Sequence, residues 1–435
     1  MRRRGSGFDF DSAGYVARGP SRLYNEAKSW PSPSPACPGV VAMSPLSVNR
    51  RRFLGCSAAA GLALAGSPVA EAVAHASPVR LGAIGAGSRG TTLLRAALEI
   101  PGVEVVAIAD LEPKHRLRGQ GIAERSTKGR PDVCEDFHAI LGRDDIQGVV
   151  VALPCDLHAR VILDALRAGK HVYAEKPLAL SVAECDSIVA EAARSPGTVI
   201  HVGHQRRSNL RYVEGARLLR DGEFGPLVEA RASWTSSNGP IRGHRGWLGL
   251  RDRSGDWMVE QAVHLWDTLH ELTGSLPVRA SGTGRQRLFA RTDPDRDVTD
   301  WYTAQLEWKS GFQASLTHSW IDPADDGFTG VSLRVLGVEG GFDFASGVAT
   351  FRDKSRPRQT IHPGNLNDTG AAVATFIEAI RRGGTALAAP ISLIDAREAV
   401  VTGLMVRKAV DERRWVGRSE ITAIEDGSSI GASLG

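Results

Sequence analysis

Cysteine is scarce in this chain of 435 residues. There are five cysteines, and no two of them stand in a C-x-x-C pair. Only Cys134, Cys155 and Cys185 lie beyond residue 76, an odd number with wide spacing. This pattern excludes a disulfide framework and a zinc site held by cysteine pairs. We therefore predict no metal site in this chain.

Long apolar runs are also missing, and the short run near the N-terminus has the features of an export signal. The segment 49–54 carries paired arginines before Phe-Leu, small and apolar residues follow over 55–70, and an A-x-A cleavage pattern stands at 74–76. These features are typical of a bacterial twin-arginine signal. The apolar run is too short and too rich in Ala and Gly for a membrane span. We predict that 43–76 is a signal for the twin-arginine translocase, and that the mature protein is periplasmic or extracellular without a stable membrane anchor.

An excess of positive charge is absent from most of the chain. Residues 1–76 contain nine Lys/Arg and four Asp/Glu, so the formal net charge of +4 arises in this segment. Nothing in the near-neutral remainder indicates a nucleic-acid partner. Residues 1–42 are rich in Pro, Ser, Gly and Arg and fit neither a signal nor a core. We predict that translation starts at Met43 and that 1–42 is mis-assigned; a disordered basic leader is the alternative for 1–76.

A glycine-rich turn follows the first strand-like stretch. Gly85, Gly87 and Gly90 form the pattern G-x-G-x-x-G at the start of a helix-forming segment. Glycines there let backbone N–H groups and a helix N-terminus approach a pyrophosphate. A second apolar strand over 103–109 ends in Asp110, where a ribose-binding acid is expected. Together these features predict a dinucleotide site.

Strand-like and helix-like segments alternate through the rest of the first half. Helix starts are marked by Asp156 and by a capping box of Ser181 and Glu184. Such βαβ units predict a parallel sheet with helices on both faces, whereas the second half has strand segments without intervening helices. The predicted organisation is a leader over 1–76, an α/β Rossmann nucleotide-binding domain over 77–203, and an α+β domain with an open, mainly antiparallel sheet for substrate binding and oligomerisation over 204–435.

Three further motifs accompany the glycine turn. They are Ala-Glu-Lys-Pro at 174–177, Gly-His-Gln-Arg-Arg at 203–207, and Glu-Gln-Ala-Val-His-Leu-Trp-Asp at 260–267. With them the chain resembles the Gfo/Idh/MocA oxidoreductases, the family of glucose–fructose oxidoreductase and inositol dehydrogenase, over 79–420. The resemblance implies a nicotinamide cofactor, a sugar or polyol substrate, and a homo-dimer or homo-tetramer assembled through the open sheet.

The resemblance also implies three catalytic residues. Lys176 follows a strand, at the edge where open α/β sheets bind ligands, and its ammonium can stabilise a developing alkoxide. His264 is implied to transfer the hydroxyl proton, since the pKa of an imidazole lies near neutrality. Glu260 is implied to orient the substrate or the ring, and on a continuous helix it would share a face with His264. The alternatives are a surface lysine beside a turn and a hydrogen-bonded core histidine.

This chain departs from the family pattern D-x-G-x-H-x-x-D at two positions. Glu260 stands where the family has Asp, and Ala262 where it has Gly. The longer arm moves the carboxylate by about one bond length, and the methyl group of Ala262 narrows the approach. The role of Glu260 is therefore open, while Asp267 is expected to be structural.

NAD is the predicted cofactor. Asp110 can accept from a ribose 2′-OH and repels a 2′-phosphate, whereas Arg89 in the turn could meet a phosphate and keeps NADP as the alternative. Because the twin-arginine route carries folded proteins, a cofactor inserted before export need not dissociate. The predicted cofactor-binding residues are Gly85, Gly87, Ser88, Arg89, Gly90, Asp110, Leu153, Pro154, His158, Glu175, Lys176 and Pro177.

Aromatic residues are few, at 6% of the chain, but tryptophans gather near the catalytic segment. Flat aromatic faces stack on the C–H faces of sugars, and the alternative places these tryptophans in the core. The residues predicted to contact the substrate are Gln205, Arg206, Arg242, His244 and Trp257.

These features predict an exported oxidoreductase that moves hydride between a sugar or polyol hydroxyl carbon and NAD. Two alternatives stay open: glycoside cleavage by transient oxidation with recycled NAD, and a non-catalytic exported sugar-binding protein on the same scaffold. Lys176 argues against the first, because that branch of the family lacks this lysine. The intact glycine turn and His264 argue against the second.

Overall fold

The structure, a computed structural model, describes most of the chain beyond the leader. The described residues are 78–126, 129–237, 244–325, 327–362, 367–384 and 391–423, of which His244 and Arg245 are described by backbone only. The predicted export signal, the start at Met43 and the predicted substrate residue Arg242 lie outside these ranges.

A six-stranded parallel sheet is the centre of the first half. Its strands are β1 (Val79–Ile84), β2 (Val103–Ala109), β3 (Asp132–Cys134), β4 (Gly148–Val151), β5 (His171–Ala174) and β6 (Ile200–Val202). Their order is β3-β2-β1-β4-β5-β6, and all neighbouring pairs are parallel. β4 is buried along its whole length, as expected for a parallel sheet covered on both faces. The reversal of strand order between β1 and β4 leaves a crevice at the carboxyl edge.

Helices alternate with these strands. They are α1 (Ser88–Leu98), α2 (Pro113–Glu124), α3 (His138–Leu141), α4 (His158–Arg167) and α5 (Val182–Arg194). The predicted capping box of α5 is confirmed, because the Ser181 hydroxyl accepts from the Glu184 N–H and the Glu184 carboxylate accepts from the Ser181 N–H. Asp156 does not cap α4. Its carboxylate binds Arg253 at 3.1 Å instead, and a 3-10 turn precedes the helix.

The second half contains a nine-stranded sheet. Its strands are β7 (Leu227–Thr235), β8 (Pro277–Gln286), β9 (Thr299–Trp308), β10 (Gln313–Ser319), β11 (Gly330–Gly337), β12 (Gly340–Asp343), β13 (Val348–Phe351), β14 (Gln359–Thr360) and β15 (Val416–Gly417). The order is β14-β13-β12-β11-β7-β10-β9-β8-β15, and only β7 and β10 pair in parallel. The predicted fold class, a Rossmann domain followed by an α+β domain with an open, mainly antiparallel sheet, is confirmed.

The remaining helices belong to this second half by sequence. They are α6 (Leu210–Arg220), α7 (Arg251–Ser254), α8 (Trp257–Glu260), α9 (Val263–Thr273), α10 (Asp368–Arg381), α11 (Leu393–Glu412) and α12 (Ser419–Thr422). None of the helices in the described ranges is long and apolar enough to cross a membrane.

The two faces of the nine-stranded sheet differ in polarity. Along β9, Tyr302, Ala304 and Leu306 are buried, whereas Gln305 between them is exposed. α11 packs against β8 and β9, which places a long helix over the sheet. The use of the polar face for homo-oligomer contacts stays a prediction.

Helix α10 returns to the first half. Its Phe376, Ile377 and Ile380 lie in one apolar core with Leu93 of α1 and Val150 of β4. The predicted boundary at residue 203 therefore divides the sequence but not this core.

The capping box gives a stability prediction. Ser181→Ala removes the acceptor for the Glu184 N–H at the start of α5, and we expect the free energy of unfolding to fall by about 0.5–2 kcal/mol. Ser187→Ala on the exposed side of the same helix is the control, and it should leave stability nearly unchanged. Denaturant midpoints of the two variants test this, and equal midpoints would show that the cap contributes nothing.

Candidate active site

The glycine turn leaves an open space in front of α1. Gly85 has a φ of +90°, and a Cβ there would overlap the carbonyl oxygen of Ala152. A Cβ on Gly90 would overlap the Gly85 carbonyl. At Gly87 a Cβ would meet, among the described residues, only His115 Cε1 at 3.9 Å, and no side chain caps α1. The first N–H groups of the helix therefore border a space that suits a pyrophosphate.

Asp110 fixes this turn against the end of β2. Its carboxylate accepts from the Ala86 N–H at 2.8 Å and from the Glu112 N–H at 2.8 Å, and His115 Nδ1 lies 3.3 Å away. The sequence predicts a ribose contact for Asp110, and the structure adds a second role as the clamp of the turn. Ser88, also predicted to contact the cofactor, is exposed at the start of α1.

The predicted cofactor residues after β4 and β5 fall into two groups. Leu153 and Pro154 are half-buried beside the turn. The structure corrects the predicted cofactor contact of His158. Its side chain is buried, and its Nδ1 and Nε2 lie 2.7 and 3.0 Å from the carbonyl oxygens of Pro177 and Leu153. It braces the two loops and offers no free ring atom to a cofactor. Pro177 is buried and follows a cis peptide bond.

Arg89 is paired rather than free. Its Nε donates to Glu175 Oε1 at 2.6 Å, and its Nη1 donates to Thr369 Oγ1 at 3.1 Å. Glu175 is 4% exposed, so this guanidinium balances a buried carboxylate. Its Nη2 is buried and has no hydrogen-bond partner among the described residues, so a contact of Arg89 with a phosphate stays a prediction.

Lys176 and Glu260 form a largely buried ion pair. The Lys176 Nζ lies 2.6 Å from Glu260 Oε1 and 2.8 Å from the Glu260 carbonyl oxygen. Burial alone would lower the pKa of Lys176, but the negative charges around it, Glu260 first and Glu175 among the others, together raise the pKa above 10.5. The lysine is therefore held as a cation at the carboxyl end of β5.

His264 is a buried neutral imidazole near this pair. Burial, followed by the positive charges of Lys176, Arg206 and His204, holds its pKa well below 6.5. The Nδ1 atom has no hydrogen-bond partner in the described part of the chain. The condition for a shared helix face between Glu260 and His264 is not met, because α8 ends at Glu260 and α9 begins at Val263.

A buried charge network lies behind His264 and was not identified from the sequence. The ring of His204 meets that of His264 edge-on, with centroids 5.7 Å apart, and its Nδ1 lies 3.5 Å from Asp267 Oδ2. Arg207 donates to Asp267 at 2.6 Å, which agrees with the expected structural role of Asp267. The three-residue spacing from His264 to Asp267 was a signal for this network, because it places both on one helix face.

Two predicted substrate residues belong to the motif that also contains His204, the neighbour of His264. Gln205 and Arg206 occupy the 3-10 turn after β6, and each has a buried polar atom without a partner among the described residues. The Arg206 guanidinium carbon lies 5.3 Å from the ring centroid of Trp234, whose ring is 6.2 Å from that of His264.

Trp257, a third predicted substrate residue, does not lie with Gln205 and Arg206. Its side chain is 0% exposed, and its ring lies 4.4 Å from that of Trp320, so it belongs to the core. This corrects its predicted contact with the substrate. The backbone of His244 lies in a short 3-10 helix, and its side chain is outside the described part. No cluster of His, Cys, Asp or Glu in the described ranges could hold a metal ion.

The arrangement thus combines a fixed cation with a neutral base at the edge of the parallel sheet. Such a pair can polarise a hydroxyl oxygen and remove its proton.

Comparison with known proteins assigns both halves. The oxidoreductase family model with an NAD-binding Rossmann fold, Gfo/Idh/MocA, matches residues 79–204, and the Gfo/Idh/MocA C-terminal domain model matches residues 212–343.

Three curated relatives have names that refer to carbohydrates or glycosides. The 2,7-anhydro-N-acetylneuraminate hydratase of Mediterraneibacter gnavus is 30% identical over 243 residues, 53% of this chain and 61% of that protein. A glycosyl hydrolase family 109 protein of Shewanella pealeana is 30% identical over 43% of this chain and 46% of that protein. The dTDP-3,4-didehydro-2,6-dideoxy-α-D-glucose 3-reductase of Actinomadura kijaniata is 32% identical over 57% of this chain and 70% of that protein. The chain thus spans about half to two thirds of these relatives.

Two solved structures share the fold. Levoglucosan dehydrogenase with NADH and levoglucosan has a TM-score of 0.65 at 20% identity, covering 78% of this chain and 99% of that one. Aldose–aldose oxidoreductase from Caulobacter crescentus with glycerol has a TM-score of 0.65 at 23% identity and the same coverage of both chains. At such identities the likeness concerns the fold alone. The two family models, together with the geometry of the glycine turn and of Lys176, show that this chain belongs to the Gfo/Idh/MocA family of oxidoreductases.

Proposed function

We propose that this chain is an NAD-dependent oxidoreductase acting on a CH–OH group of a sugar or polyol. The observation that carries the proposal is that a cationic lysine at the carboxyl end of β5 lies near enough to a buried histidine to lower its pKa, in a domain whose glycine turn leaves the N-terminus of α1 uncapped. The carbohydrate names of the relatives support the substrate class.

Each residue of the site has one role in this proposal. Lys176 binds the substrate hydroxyl oxygen and stabilises its negative charge, and Glu260 orients the Lys176 ammonium instead of touching the substrate. His264 accepts the hydroxyl proton at a ring nitrogen, because burial keeps this nitrogen unprotonated at neutral pH. The nicotinamide, when bound, supplies the acceptor or donor of hydride.

The cofactor end of the site supports NAD over NADP. The α1 N-terminus and Gly87 hold the pyrophosphate, and Asp110 accepts from the ribose 2′-OH while it repels a 2′-phosphate. A cofactor enclosed during folding need not leave, so the enzyme can oxidise one sugar and reduce another.

We further propose that the chain is exported by the twin-arginine translocase and assembles through the polar face of its nine-stranded sheet. The paired arginines of 49–54 and the A-x-A pattern at 74–76 support export.

Glycoside cleavage with recycled NAD is the second candidate. The Shewanella pealeana relative, by its name a glycosyl hydrolase family 109 protein, favours it. Release of the aryl alcohol from an aryl glycoside without net NADH would support it.

The identity of the cofactor is tested by denaturing the protein and identifying the nucleotide that it releases. We expect NAD(H), at about one per chain, in the supernatant of denatured, signal-processed protein, identified by mass spectrometry. NADP(H) would show that the proposed role of Asp110 is wrong. If no nucleotide is released, titration with NAD decides between a freely exchanging cofactor and a protein that binds none.

The catalytic roles are tested by variants and a pH profile. We expect Lys176→Met and His264→Gln each to lower kcat by about 10²–10⁴. The controls Lys309→Met and His138→Gln, at two exposed residues, should keep kcat unchanged. Because neutral His264 is the active form and its pKa lies well below 6.5, kcat/KM should stay level as pH falls to 6.5 and decline only below it. Because the pKa of Lys176 lies above 10.5, titration of this lysine should not change kcat/KM below pH 10. A decline centred at or above pH 6.5 would contradict this assignment of the base.

Export is tested by substitution of the paired arginines. We expect replacement of Arg51 and Arg52 by lysine to retain the precursor in the cytoplasm, detected by fractionation and immunoblotting. Replacement of the exposed Arg118 and Arg125 by lysine is the control, because both lie in the mature chain whichever start codon is used, and it should leave export intact. Undiminished export of the first variant would exclude the twin-arginine route.

A further inference from the structure

The charges around His264 are balanced with one exception. The balanced pairs are Lys176 with Glu260, Arg89 with Glu175, and Arg207 with Asp267. Arg206 has no carboxylate within ion-pair distance in the described part of the chain. Glu271 also contacts Arg207, at 3.3 Å, and it is shared with Arg220 at 3.4 Å. Among the described residues, Arg206 therefore contributes one positive charge without a paired carboxylate.

The guanidinium of Arg206 is held in position by aromatic rings, but one of its nitrogens lacks a hydrogen-bond partner. Its carbon lies 5.2 Å from the ring centroid of Tyr212 and 5.3 Å from that of Trp234, so two aromatic rings contribute cation–π contacts. Its Nη1 atom is buried and has no hydrogen-bond partner among the described residues, and the same is true of the neighbouring Gln205 Oε1. A buried donor without an acceptor and a buried acceptor without a donor are both unfavourable. Arg206 Nη1 is therefore suited to an acceptor atom of a ligand, and Gln205 Oε1 to a hydroxyl group of the same ligand.

This guanidinium lies near the proposed base, and its positive charge is one of those that lower the pKa of His264. Trp234, which it contacts, lies 6.2 Å from His264 between ring centroids. A group bound by Arg206 would thus belong to the molecule whose hydroxyl meets His264 and Lys176.

We propose that the substrate carries a carboxylate and that Arg206 binds it, so that the enzyme acts on a sugar acid rather than on a neutral sugar or polyol. A guanidinium presents parallel N–H donors that match the two oxygens of a carboxylate. The single uncompensated charge of the site equals the single charge of that group, whereas a phosphate would bring a second charge that nothing in the described site balances. The inference rests on the proposed oxidoreductase function and narrows its substrate class.

The test measures binding instead of turnover. Protein saturated with NAD is titrated calorimetrically with matched pairs of ligands, in which one member carries a carboxylate where the other carries a CH2OH group. The pairs are D-glycerate and glycerol, D-glucuronate and D-glucose, and D-galacturonate and D-galactose. For at least one pair we expect the acid to bind roughly 10- to 100-fold more tightly. Arg206→Gln should abolish this preference. Arg206→Lys should keep part of it, because lysine retains the positive charge but lacks the parallel N–H donors of the guanidinium.

Arg217→Gln is the matched control, since Arg217 is an exposed arginine on α6 paired with Glu214, and it should keep the full preference. An equal affinity for acids and neutral partners, including binding of neither, would overturn the inference, as would a preference that survives Arg206→Gln. Loss of NAD binding in Arg206→Gln would also overturn it, because the guanidinium would then serve the cofactor. Turnover of neutral sugars without any preference would refute this inference and leave the proposed oxidation standing. An acid preference without reduction of NAD by any sugar would refute only the oxidation.

Discussion

The ion pair between Lys176 and Glu260 is the contact on which the whole site depends. Lys176 comes from the parallel sheet and Glu260 from the helical segment that precedes α9, so the pair joins the two halves of the chain at the reacting centre. Removing one partner of a buried pair leaves an uncompensated charge and costs about 3–5 kcal/mol. The loop after β5 and the end of α8 are therefore fixed relative to each other, and the position of the ammonium follows from both.

A strained residue anchors the Glu260 side of this pair. Asp256 is fully buried with a φ of +70°, a conformation that costs roughly 1–3 kcal/mol for a residue with a Cβ. Its carboxylate accepts from the Trp257 N–H at 2.7 Å, from the Thr299 hydroxyl at 2.8 Å and from Arg251 at 2.8 Å. These bonds offset the strain and set the start of α8, four residues before Glu260. The glutamate side chain reaches the lysine because the helix beneath it is held to β9.

Local features of the site were predictable from the sequence, and the others were not. The glycine turn, Asp110 and the position of Lys176 after a strand depend on neighbours within a few residues, and their patterns are specific. The break between Glu260 and His264 lies beside a distant contact, in which the amide oxygen of Gln261 accepts from His318 on β10 at 2.9 Å. The sequence alone holds no record of such a partner.

The same reason explains the residues that were misassigned. His158 and Trp257 carry side chains typical of binding sites, but packing against the loops of Leu153 and Pro177 and against Trp320 places both in the interior. His204 belongs to the motif at 203–207, but no role could be assigned to it from the sequence, because only the fold brings it next to Asp267 and His264.

The return of α10 to the first half constrains how the chain acquires its structure. The apolar surface formed by Leu93 and Val150 is covered by Phe376 and Ile380, which lie well over two hundred residues later. During synthesis the nucleotide-binding half therefore leaves the ribosome with an exposed apolar patch, and it cannot close until nearly the entire polypeptide has emerged. Contacts of such sequence separation slow folding and expose intermediates to aggregation. The core of the nucleotide-binding half is thus completed only when residues of both halves are available to fold together.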